Sequence, residues 1–367
     1  AEIVTASKNG KTLIYTDGKM EAIGFVDIKN PKKPKPAGMI LVGGEPTSVA
    51  VNKRYALAAV NTSEDYINVS GKLVVIDIKK QKIKAEIDVA GQPDSIAVSP
   101  DGKYAAVVIE NERDEDLNDG EIPQLPAGKL VIVDLRGKPK HWTTRSVDLT
   151  GLEGMLYASD PEPEYVDINK NNIAVITLQE NNHIVLVDLA TGNIVNHFSA
   201  GTQDLTNIDV AKDKQITLDD TLTDIPREPD GVSWVNDSLL VTADEGDMDG
   251  GSRGYTIYNT AGDIVFDSGN TVEHTIVRHG HYPDKRSAKK GNEPENVEVA
   301  TFKGDKYLFV NSERASVALV YGINDPVNPV LKQVLPTAVK PEGLLALPKR
   351  KLLITAGEED ARDDKIR

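Results

Sequence analysis

The chain has 367 residues, of which 39% are hydrophobic, and it carries 57 Asp and Glu against 42 Lys and Arg. The net charge of −15 repels phosphate backbones, and no apolar run approaches the ~18 residues of a membrane helix. We therefore expect no nucleic-acid partner and no membrane span. Cys is absent, which excludes disulfides, thiolate metal sites and cysteine nucleophiles.

The chain begins with a strand-like segment, Ala1-Glu2-Ile3-Val4, as a mature protein trimmed after export would. A cytoplasmic protein trimmed in the same way would begin alike. We predict a periplasmic or secreted protein whose signal peptide has been removed. A chain of this length can bury one large core, and we predict a single domain over residues 1–367.

Two kinds of β-hairpin alternate along the sequence. The segment from Gln92 to Asn111 represents the first kind, with a strand, a Pro-Asp-Gly turn and a second strand, because Pro fixes φ and Gly accepts a positive φ. Seven copies of this kind begin at Glu2, Glu45, Gln92, Glu162, Glu228, Glu293 and Lys340. The second kind is typified by KLVVIDIKKQKIKAEIDV, and six copies begin at Glu21, Lys72, Lys129, His183, Gly254 and Ser316.

Two hairpins per repeat make four strands, and repeats of roughly 45–65 residues match propeller blades with their loops. We predict an all-β, seven-bladed β-propeller with four-stranded antiparallel blades. The chain stops at Asp363–Arg367, where one more outer hairpin would begin. We therefore expect the last blade to be completed by the N-terminal strands and to lack its outer hairpin. The alternative fold is a pair of β-sandwich domains. Long inserted loops are predicted at 112–127 and 203–227.

Carboxylates recur at two positions of the first kind of hairpin. In a blade, the start of the first strand and the end of the second lie on the same face. The position at the start follows the Pro and is occupied by Asp94, Glu164, Asp230, Glu295 and Glu342. The position at the end is occupied by Glu110, Glu180, Glu245, Glu313 and Glu358. We therefore predict a ring of carboxylates at one mouth of the central channel.

Carboxylates packed this closely raise each other's pKa unless cations compensate. Ca²⁺, or another divalent metal, is one compensator, because hard cations prefer carboxylate and carbonyl oxygens. Nearby Arg side chains are the other possible source of compensating charge. They would form a carboxylate–arginine lattice that holds no ligand. The Arg side chains concerned are Arg113, Arg227, Arg253 and Arg314.

The basic loop HGHYPDKR supplies candidate catalytic residues. His279 and His281 alternate in it, so both rings lie on one side of an extended segment. Arg253, Arg314 and Lys285 would neutralise phosphoryl oxygens, and one His would protonate a leaving group. An exposed polar loop is the simpler interpretation. The chain contains no Gly-x-Ser-x-Gly, His-Glu-x-x-His or Walker motif, so Ser-His-Asp hydrolysis has no support.

Several stretches together carry a family resemblance: VIENERDEDLNDGEIPQLPAGKLVIVDL, ITLQENNHIVLVDLATG, REPDGVSWVNDSLLVTADEGDMDGGSRGYTIY and HGHYPDKRSAKKGNEPENVEVATF. They resemble exported bacterial propellers of the choice-of-anchor I family, also described as esterase-like, phytase-like or alkaline phosphatase proteins. The general repeat resembles YVTN-type surface-layer propellers. The resemblance runs from about Glu21 to the end, and it implies a seven-bladed propeller, export and calcium-dependent phosphoester hydrolysis.

Two functions remain open at this point. The first is a metal-dependent phosphoester hydrolase, in which Ca²⁺ at the acidic mouth polarises an oxygen of a small phosphorylated substrate and activates a water. The alternative is a non-catalytic surface or periplasmic propeller for binding or assembly. In that case the Ca²⁺ is structural, and a cationic protein partner docks on the acidic mouth.

Overall fold

The structure, a computed structural model, describes residues 2–114 and 116–359. Ala1 and the Asp363–Arg367 segment, on which two of the predictions depended, lie outside the described residues. The chain divides into two compact units, Ala1–Asn181 with Val185–His197, and Asn182–Ile184 with Phe198–Arg367. The two units are described in turn, and the single domain over residues 1–367 stays a prediction.

The first half of the chain forms four-stranded antiparallel sheets in which consecutive strands are neighbours, the meander of a propeller blade. Blades 1 and 2 contain β1 to β8 (Val4–Ala6, Thr12–Asp17, Ala22–Asp27, Lys35–Leu41, Glu45–Asn52, Tyr55–Asn61, Gly71–Asp77, Lys82–Asp88). Blades 3 and 4 contain β9 to β16 (Pro93–Val98, Tyr104–Ile109, Lys129–Asp134, Thr143–Asp148, Pro163–Ile168, Ile173–Leu178, His183–Asp188, Asn193–Ser199). Short 3₁₀ helices span Leu117–Gly120 and Pro139–His141.

The second half begins with a separate two-stranded sheet, β17 and β18 (Thr202–Ile208, Asp220–Pro226), which overlaps the predicted 203–227 insertion. Blades 5 and 6 contain β19 to β26 (Val232–Asn236, Leu239–Asp244, Gly254–Asn259, Ile264–Asp267, Pro294–Phe302, Asp305–Ser312, Val317–Gly322, Val330–Pro336). A last hairpin contains β27 and β28 (Pro341–Leu347, Leu352–Gly357). Helix α1 (Thr271–Arg278) and a 3₁₀ turn (Asp284–Arg286) connect blades 5 and 6, and another 3₁₀ turn (Pro348–Arg350) connects β27 and β28.

The turn between β9 and β10 shows why these segments form hairpins. Gly102 adopts a φ of 70°, and its N–H donates to the Ser99 carbonyl (2.8 Å). The Ser99 hydroxyl donates to Asp101 (2.9 Å) and accepts the N–H of Lys103 (3.1 Å). This is the predicted Pro-Asp-Gly turn, and the predicted hairpin from Gln92 to Asn111 is confirmed.

Apolar side chains pack between consecutive blades and form the core. Leu130 and Ile132 of β11, for example, belong to one buried cluster with Val185 and Val187 of β15. An equivalent core joins blades 5 and 6. Burial at roughly 25 cal/mol per Å² of apolar surface makes these contacts the main favourable contribution to blade packing. The blades are therefore held by side chains that alternate along each strand.

The prediction of seven blades, the last completed by the N-terminal strands, is wrong, because the described residues form six four-stranded blades. β1 and β2 belong to blade 1, where Asp17 lies opposite Ala22 and the Glu21 N–H donates to the Gly18 carbonyl (2.9 Å). β2 therefore turns directly into β3, and neighbouring strands joined by so short a turn pair with each other. The β27–β28 hairpin forms a two-stranded sheet of its own.

Helices are short in this chain. No helix within residues 2–114 and 116–359 has the length and apolar content that crossing a membrane requires. The eight residues of α1 extend about 12 Å at 1.5 Å per residue.

Candidate functional site

Asp94, Glu110 and Glu164, here called the first triplet, come together in the first unit. Asp94 is the second residue of β9, Glu110 follows the last residue of β10, and Glu164 is the second residue of β13. Pro93 pairs with Ile109 across β9 and β10, and β9 contacts β13. Carboxylate oxygens of the three side chains therefore lie within 4.8 Å of one another.

The first triplet holds its protons more tightly than isolated carboxyls do. Burial, together with the charges of Glu2 and Glu112, raises the pKa of Asp94 to about 7. Burial, together with the charges of Asp94 and Glu112, raises the pKa of Glu110 well above its usual range. A hydrogen bond with Glu164 lowers the pKa of Glu110, but burial has the larger effect and raises it. Near pH 7 a proton or a cation at this site would relieve the repulsion between the carboxylates.

Asp230, Glu245 and Glu295, the second triplet, come together in the second unit. Asp230 precedes β19, Glu245 follows β20, and Glu295 is the second residue of β23. The Asp230 N–H donates to the Ala243 carbonyl (3.0 Å), and the Gly231 N–H donates to the Glu295 carbonyl (3.1 Å). These backbone bonds fix the relative positions of the three residues, whose carboxylate oxygens lie within 4.8 Å of one another.

The pKa of Glu295 is raised well above its usual range, first by burial and then by the charges of neighbouring carboxylates. Those carboxylates include both other members of the second triplet, together with Glu342 and Glu313. Glu342, a predicted ligand, therefore lies close enough to the second triplet to act on it electrostatically.

A third carboxylate cluster shares Glu245 with the second triplet and adds Glu293 and Glu313. Arg286 Nε lies 2.5 Å from Glu293 Oε1, and Arg314 Nε lies 2.6 Å from Glu293 Oε2. Arg314 Nη1 lies 2.9 Å from Glu313. Guanidinium groups from the chain itself therefore compensate two of the three carboxylates in this cluster.

The donor chemistry decides which clusters suit a metal ion. Ca²⁺ binds oxygens at about 2.3–2.6 Å, so two oxygens on opposite sides of one ion are at most about 5 Å apart. The first and second triplets, with oxygens within 4.8 Å, match that spacing. The third cluster does not suit a dication, because its guanidinium groups already occupy carboxylate oxygens and would repel the ion.

Glu180, a predicted ligand at the end of β14, pairs with Arg113. The guanidinium of Arg113 also lies 3.1 Å from Asp160 and 2.6 Å from Glu162, and its side chain is 5% exposed. The Arg113 N–H donates to Glu162 as well (2.8 Å). Around Glu180 the structure therefore has the carboxylate–arginine arrangement that was the alternative to a metal site.

Glu358, the predicted ligand after β28, also has a partner from the chain. Lys340 Nζ lies 3.3 Å from Glu358, 2.7 Å from Glu359 and 3.6 Å from Glu313. Lys340 stands directly before the Pro of its hairpin, where four other copies carry Glu and one carries Gln. Its positive charge compensates the carboxylates of Glu358 and Glu359 at the end of the same hairpin.

Arg253, a predicted catalytic residue, is 1% exposed and forms an ion pair with Glu273 of α1 (3.1 Å). Its guanidinium also donates to the carbonyls of Asp209 (3.0 Å), Ser287 (2.9 Å) and Lys289 (3.2 Å). These contacts join the 203–227 insertion to the segment that connects blades 5 and 6. The side chain therefore holds two long segments together, and its burial separates it from solvent.

Three of the remaining predicted catalytic residues lie in the segment between blades 5 and 6, and the fourth, Arg314, lies in blade 6 between β24 and β25. His279 is exposed at the end of α1, where its Nδ1 lies 2.7 Å from the Thr275 carbonyl. His281 Nδ1 lies 3.1 Å from the Ala315 carbonyl. Lys285 is exposed. Of the five predicted catalytic side chains, only Arg314 contacts a carboxylate cluster that includes Glu245, and the catalytic role of the set stays a prediction.

The residue directly before the Pro has a role that the sequence analysis missed. Glu228 is buried and accepts the N–H groups of Asp247 (2.6 Å), Met248 (2.9 Å) and Asp249 (2.7 Å). Glu293 binds two Arg side chains from the equivalent position. The repeated Glu-Pro-acidic motif contains both residues, so the pattern that could have identified them is present in the sequence.

Solved structures with a similar fold are β-propellers or enzymes of low sequence identity. The Myceliophteria thermophila Cps50 (Swd1) β-propeller domain has a TM-score of 0.63 and 11% identity, with 98% of this chain and 94% of that chain covered. Hydrazine synthase from Kuenenia stuttgartiensis has a TM-score of 0.58 and 16% identity, with coverage of 96% and 91%. Virginiamycin B lyase from Staphylococcus aureus has a TM-score of 0.56 and 14% identity, with coverage of 94% and 87%. At these identities the similarity establishes the propeller fold alone.

Sequence comparison identifies the family. A search of curated proteins gives no match. The family model described as the choice-of-anchor I domain matches residues 2–250 and 248–326, which is most of the chain and includes both triplets. The chain therefore belongs to the choice-of-anchor I domain family.

Proposed function

We propose that this chain is an exported β-propeller that binds Ca²⁺ through its two carboxylate triplets. One observation carries the proposal: each triplet offers oxygens from three side chains within 4.8 Å of one another, the spacing of ligands around a single Ca²⁺. Membership of a choice-of-anchor family supports export to the periplasm or the exterior.

The electrostatics of the triplets support the same function. Burial and neighbouring carboxylates raise the pKa of Asp94 to about 7 and that of Glu295 well above its usual range. A Ca²⁺ ion would replace the shared protons and neutralise the repulsion, because only deprotonated carboxylates bind the ion. Binding should therefore release protons near neutral pH.

Titration calorimetry on EDTA-treated protein, in two buffers of different ionisation enthalpy, tests both the binding of Ca²⁺ and the release of protons that accompanies it. We expect Ca²⁺ to bind with a Kd of about 10⁻⁴–10⁻³ M, typical of extracellular sites, with proton release and a higher Tm. Glu110→Gln should remove binding at the first triplet, and Glu295→Gln should remove it at the second. The exposed Glu64 provides a matched control, Glu64→Gln. If the wild-type protein gives neither heat nor a change of Tm, the proposal fails.

A phosphoester hydrolase is the second candidate function, and the position of Arg314 favours it. Glu245 belongs to both the second triplet and the third cluster, so a guanidinium stands beside a candidate Ca²⁺ site. His281 interacts with the carbonyl of Ala315, the residue after Arg314. A metal ion and a guanidinium together could neutralise the oxygens of a small phosphorylated substrate, and the esterase-like and phytase-like resemblance supports this use.

Release of p-nitrophenol from p-nitrophenyl phosphate and bis(p-nitrophenyl) phosphate, with Ca²⁺ and with EDTA, tests this second candidate. Arg314→Gln should lower kcat, while Arg136→Gln at an exposed position should leave it unchanged. Calcium binding without turnover of either ester would favour the alternative, a surface or periplasmic binding or assembly propeller with structural calcium. A cationic protein partner would then dock on the acidic residues, as the YVTN-type resemblance supports.

A further inference from the structure

The turns at one edge of blades 1, 2 and 3 are basic. In each blade the turn between the first two strands and the turn between the last two strands lie at the same edge, because consecutive strands are antiparallel neighbours. The surface formed by these turns is called the basic face. Nine of its Lys side chains are exposed and form no ion pair within residues 2–114 and 116–359: Lys8, Lys11, Lys32, Lys33, Lys53, Lys79, Lys80, Lys138 and Lys140.

Contacts between neighbouring blades make the basic face continuous. Gln81, in the β7–β8 turn of blade 2, donates through Nε2 to the carbonyl of Ala37 in the fourth strand of blade 1 (2.6 Å). Tyr55, directly after the β5–β6 turn of blade 2, contacts Trp142 of blade 3 edge to face, with the ring centroids 6.2 Å apart. The turns of the three blades therefore lie side by side.

Acidic side chains at the same edge already pair with other basic residues. These pairs are Asp27 with Lys29 (2.9 Å), Asp77 with Arg54 (3.4 Å) and Asp101 with Lys103 (2.9 Å). Their charges cancel within each pair, so the positive charge of the basic face comes from the nine Lys side chains.

The β3–β4 turn presents its Lys side chains on an ordered backbone. Asn30 Oδ1 accepts the N–H of Lys32 (3.1 Å), and the Asn30 carbonyl accepts the N–H of Lys33 (3.0 Å). Pro31 and Pro34 fix φ on either side of these two residues. A partner that binds here therefore does not have to order a flexible loop, which would weaken binding.

The first triplet lies too far away to cancel the charge of the basic face. Asp94 and Glu164 stand at the start of β9 and β13, at the opposite edge of their blades. The six residues of β9 extend about 20 Å at about 3.3 Å per residue. The Debye length is about 8 Å at physiological ionic strength, so the field of the triplet is screened over that distance. The net charge of −15 therefore does not determine which partners this face attracts.

The arrangement of the Lys side chains fits a flat anionic surface. The two turns of one blade are two strand spacings apart, about 10 Å, so the charges spread across each blade as well as from blade to blade. A linear polyanion would contact one row of these charges, whereas a bilayer contacts them all. Trp142 is buried, so these turns offer no exposed Trp, Tyr or Phe ring on which nucleic-acid bases could stack. A second copy of this chain would have to present exposed carboxylates, and those of both triplets are half-buried.

We propose that the basic face binds bilayers that contain anionic phospholipids. Lipid phosphate groups attract the ammonium groups, and each Lys near such a surface strengthens binding about fivefold. None of the exposed large hydrophobic side chains lies in these turns, so the chain binds the headgroups without inserting into the bilayer. The inference uses none of the triplet residues and is independent of calcium binding.

Co-sedimentation with vesicles tests the proposal. The probe is a vesicle of phosphatidylcholine with about 30% phosphatidylglycerol, in EDTA and about 0.1 M NaCl. EDTA prevents Ca²⁺ from bridging carboxylates to phosphate groups, so the result does not depend on the calcium sites. We expect the chain to sediment with these vesicles, to stay in the supernatant with phosphatidylcholine alone, and to be released at about 0.5 M NaCl. Failure to bind the anionic vesicles, or equal binding to both kinds, would overturn the proposal.

A quadruple variant of blades 1 and 2 locates the binding surface. Lys32→Gln, Lys33→Gln, Lys79→Gln and Lys80→Gln together should lower the partition coefficient onto anionic vesicles at least about tenfold. Because these four side chains are exposed, the variant should keep its fold, which circular dichroism and the Tm check.

The matched control changes four exposed Lys side chains of the second unit, Lys212→Gln, Lys214→Gln, Lys303→Gln and Lys349→Gln. Both variants have the same net charge, so a difference between them reports the location of the charges. The control should lower the partition coefficient less than about threefold. An equal loss in the two variants would overturn the proposal.

Two further measurements distinguish other partners. Long-chain polyphosphate, a linear polyanion, should bind more weakly than the vesicles at equal phosphate concentration, and tighter binding would overturn the proposal in favour of a linear polymer. Sedimentation velocity without vesicles should show a monomer. An oligomer that the quadruple variant of blades 1 and 2 dissociates would identify a second copy as the partner and overturn the proposal equally.

Discussion

Asp94→Asn removes one carboxylate from the first triplet with little change of shape. Burial, with Glu2 and Glu112, raises the pKa of Asp94 to about 7 in the folded chain, against about 3.9 in an unfolded chain. The stability that protonated Asp94 provides is therefore complete below about pH 4 and is lost as the pH rises through about 7. About three pKa units at about 1.4 kcal/mol each set an upper limit of about 4 kcal/mol on that loss.

We therefore expect Asp94→Asn to raise the Tm by several degrees at about pH 8 in EDTA, since 1 kcal/mol shifts Tm by roughly 2–4 °C for 150–250 residues. Below about pH 4, where Asp94 is protonated in the folded and the unfolded chain, the two proteins should unfold at nearly the same temperature. In Ca²⁺ at a hundred times Kd the difference should narrow, because the wild type gains about 2.7 kcal/mol from the ion against a loss of at most about 4 kcal/mol. Asp219→Asn, at an exposed position, should change none of these values. A variant less stable than wild type at about pH 8 in EDTA would refute the reasoning.

Four further substitutions test the buried charges. Arg113→Met should lower the free energy of unfolding by about 3–5 kcal/mol in urea, because buried carboxylates lose their cation; an unchanged value would contradict this. Arg253→Met should cost a similar amount by leaving Glu273 buried without its cation. Glu228→Gln should speed hydrogen exchange of the amides at 247–249, which its carboxylate binds, and unchanged exchange would exclude that role. Burial raises the pKa of Asp244 to about 7, so Asp244→Asn should flatten the fall of Tm as the pH rises through about 7.

The hairpins could be predicted from the sequence because turn residues and apolar runs act over a few positions. Gly102 requires a positive φ, and β9 and β10 lie on either side of its turn, as expected. The number of blades could not be obtained by counting hairpins, because the count does not say which hairpins pair. The short turn from Asp17 to Ala22 decides that pairing, and it joins the N-terminal strands to blade 1.

The carboxylate positions were predictable for the same reason, since a repeated hairpin repeats the location of its ends. Glu110 and Glu164 meet because Glu110 follows the second strand of blade 3, Glu164 lies near the start of the first strand of blade 4, and these two strands contact each other. Glu180 also occupies such an end, yet Arg113 reaches it from a position 67 residues away in the sequence. A contact of that separation depends on the path of the 112–127 segment, which no local pattern encodes.

In hairpins of the first kind, the carboxylate before the Pro and the carboxylate after it have different surroundings. Glu228 and Glu293 precede it with φ of 45° and 48°, a left-handed conformation that lies outside the strand. Their carboxylates bind backbone N–H groups or Arg side chains. Glu295 and Glu164 follow the Pro within a strand and lie among other carboxylates. The chain thus neutralises the first kind by itself, whereas the second kind depends on a proton or a cation. Because a bound Ca²⁺ must displace protons from the second kind, calcium affinity should increase as the pH rises through about 7.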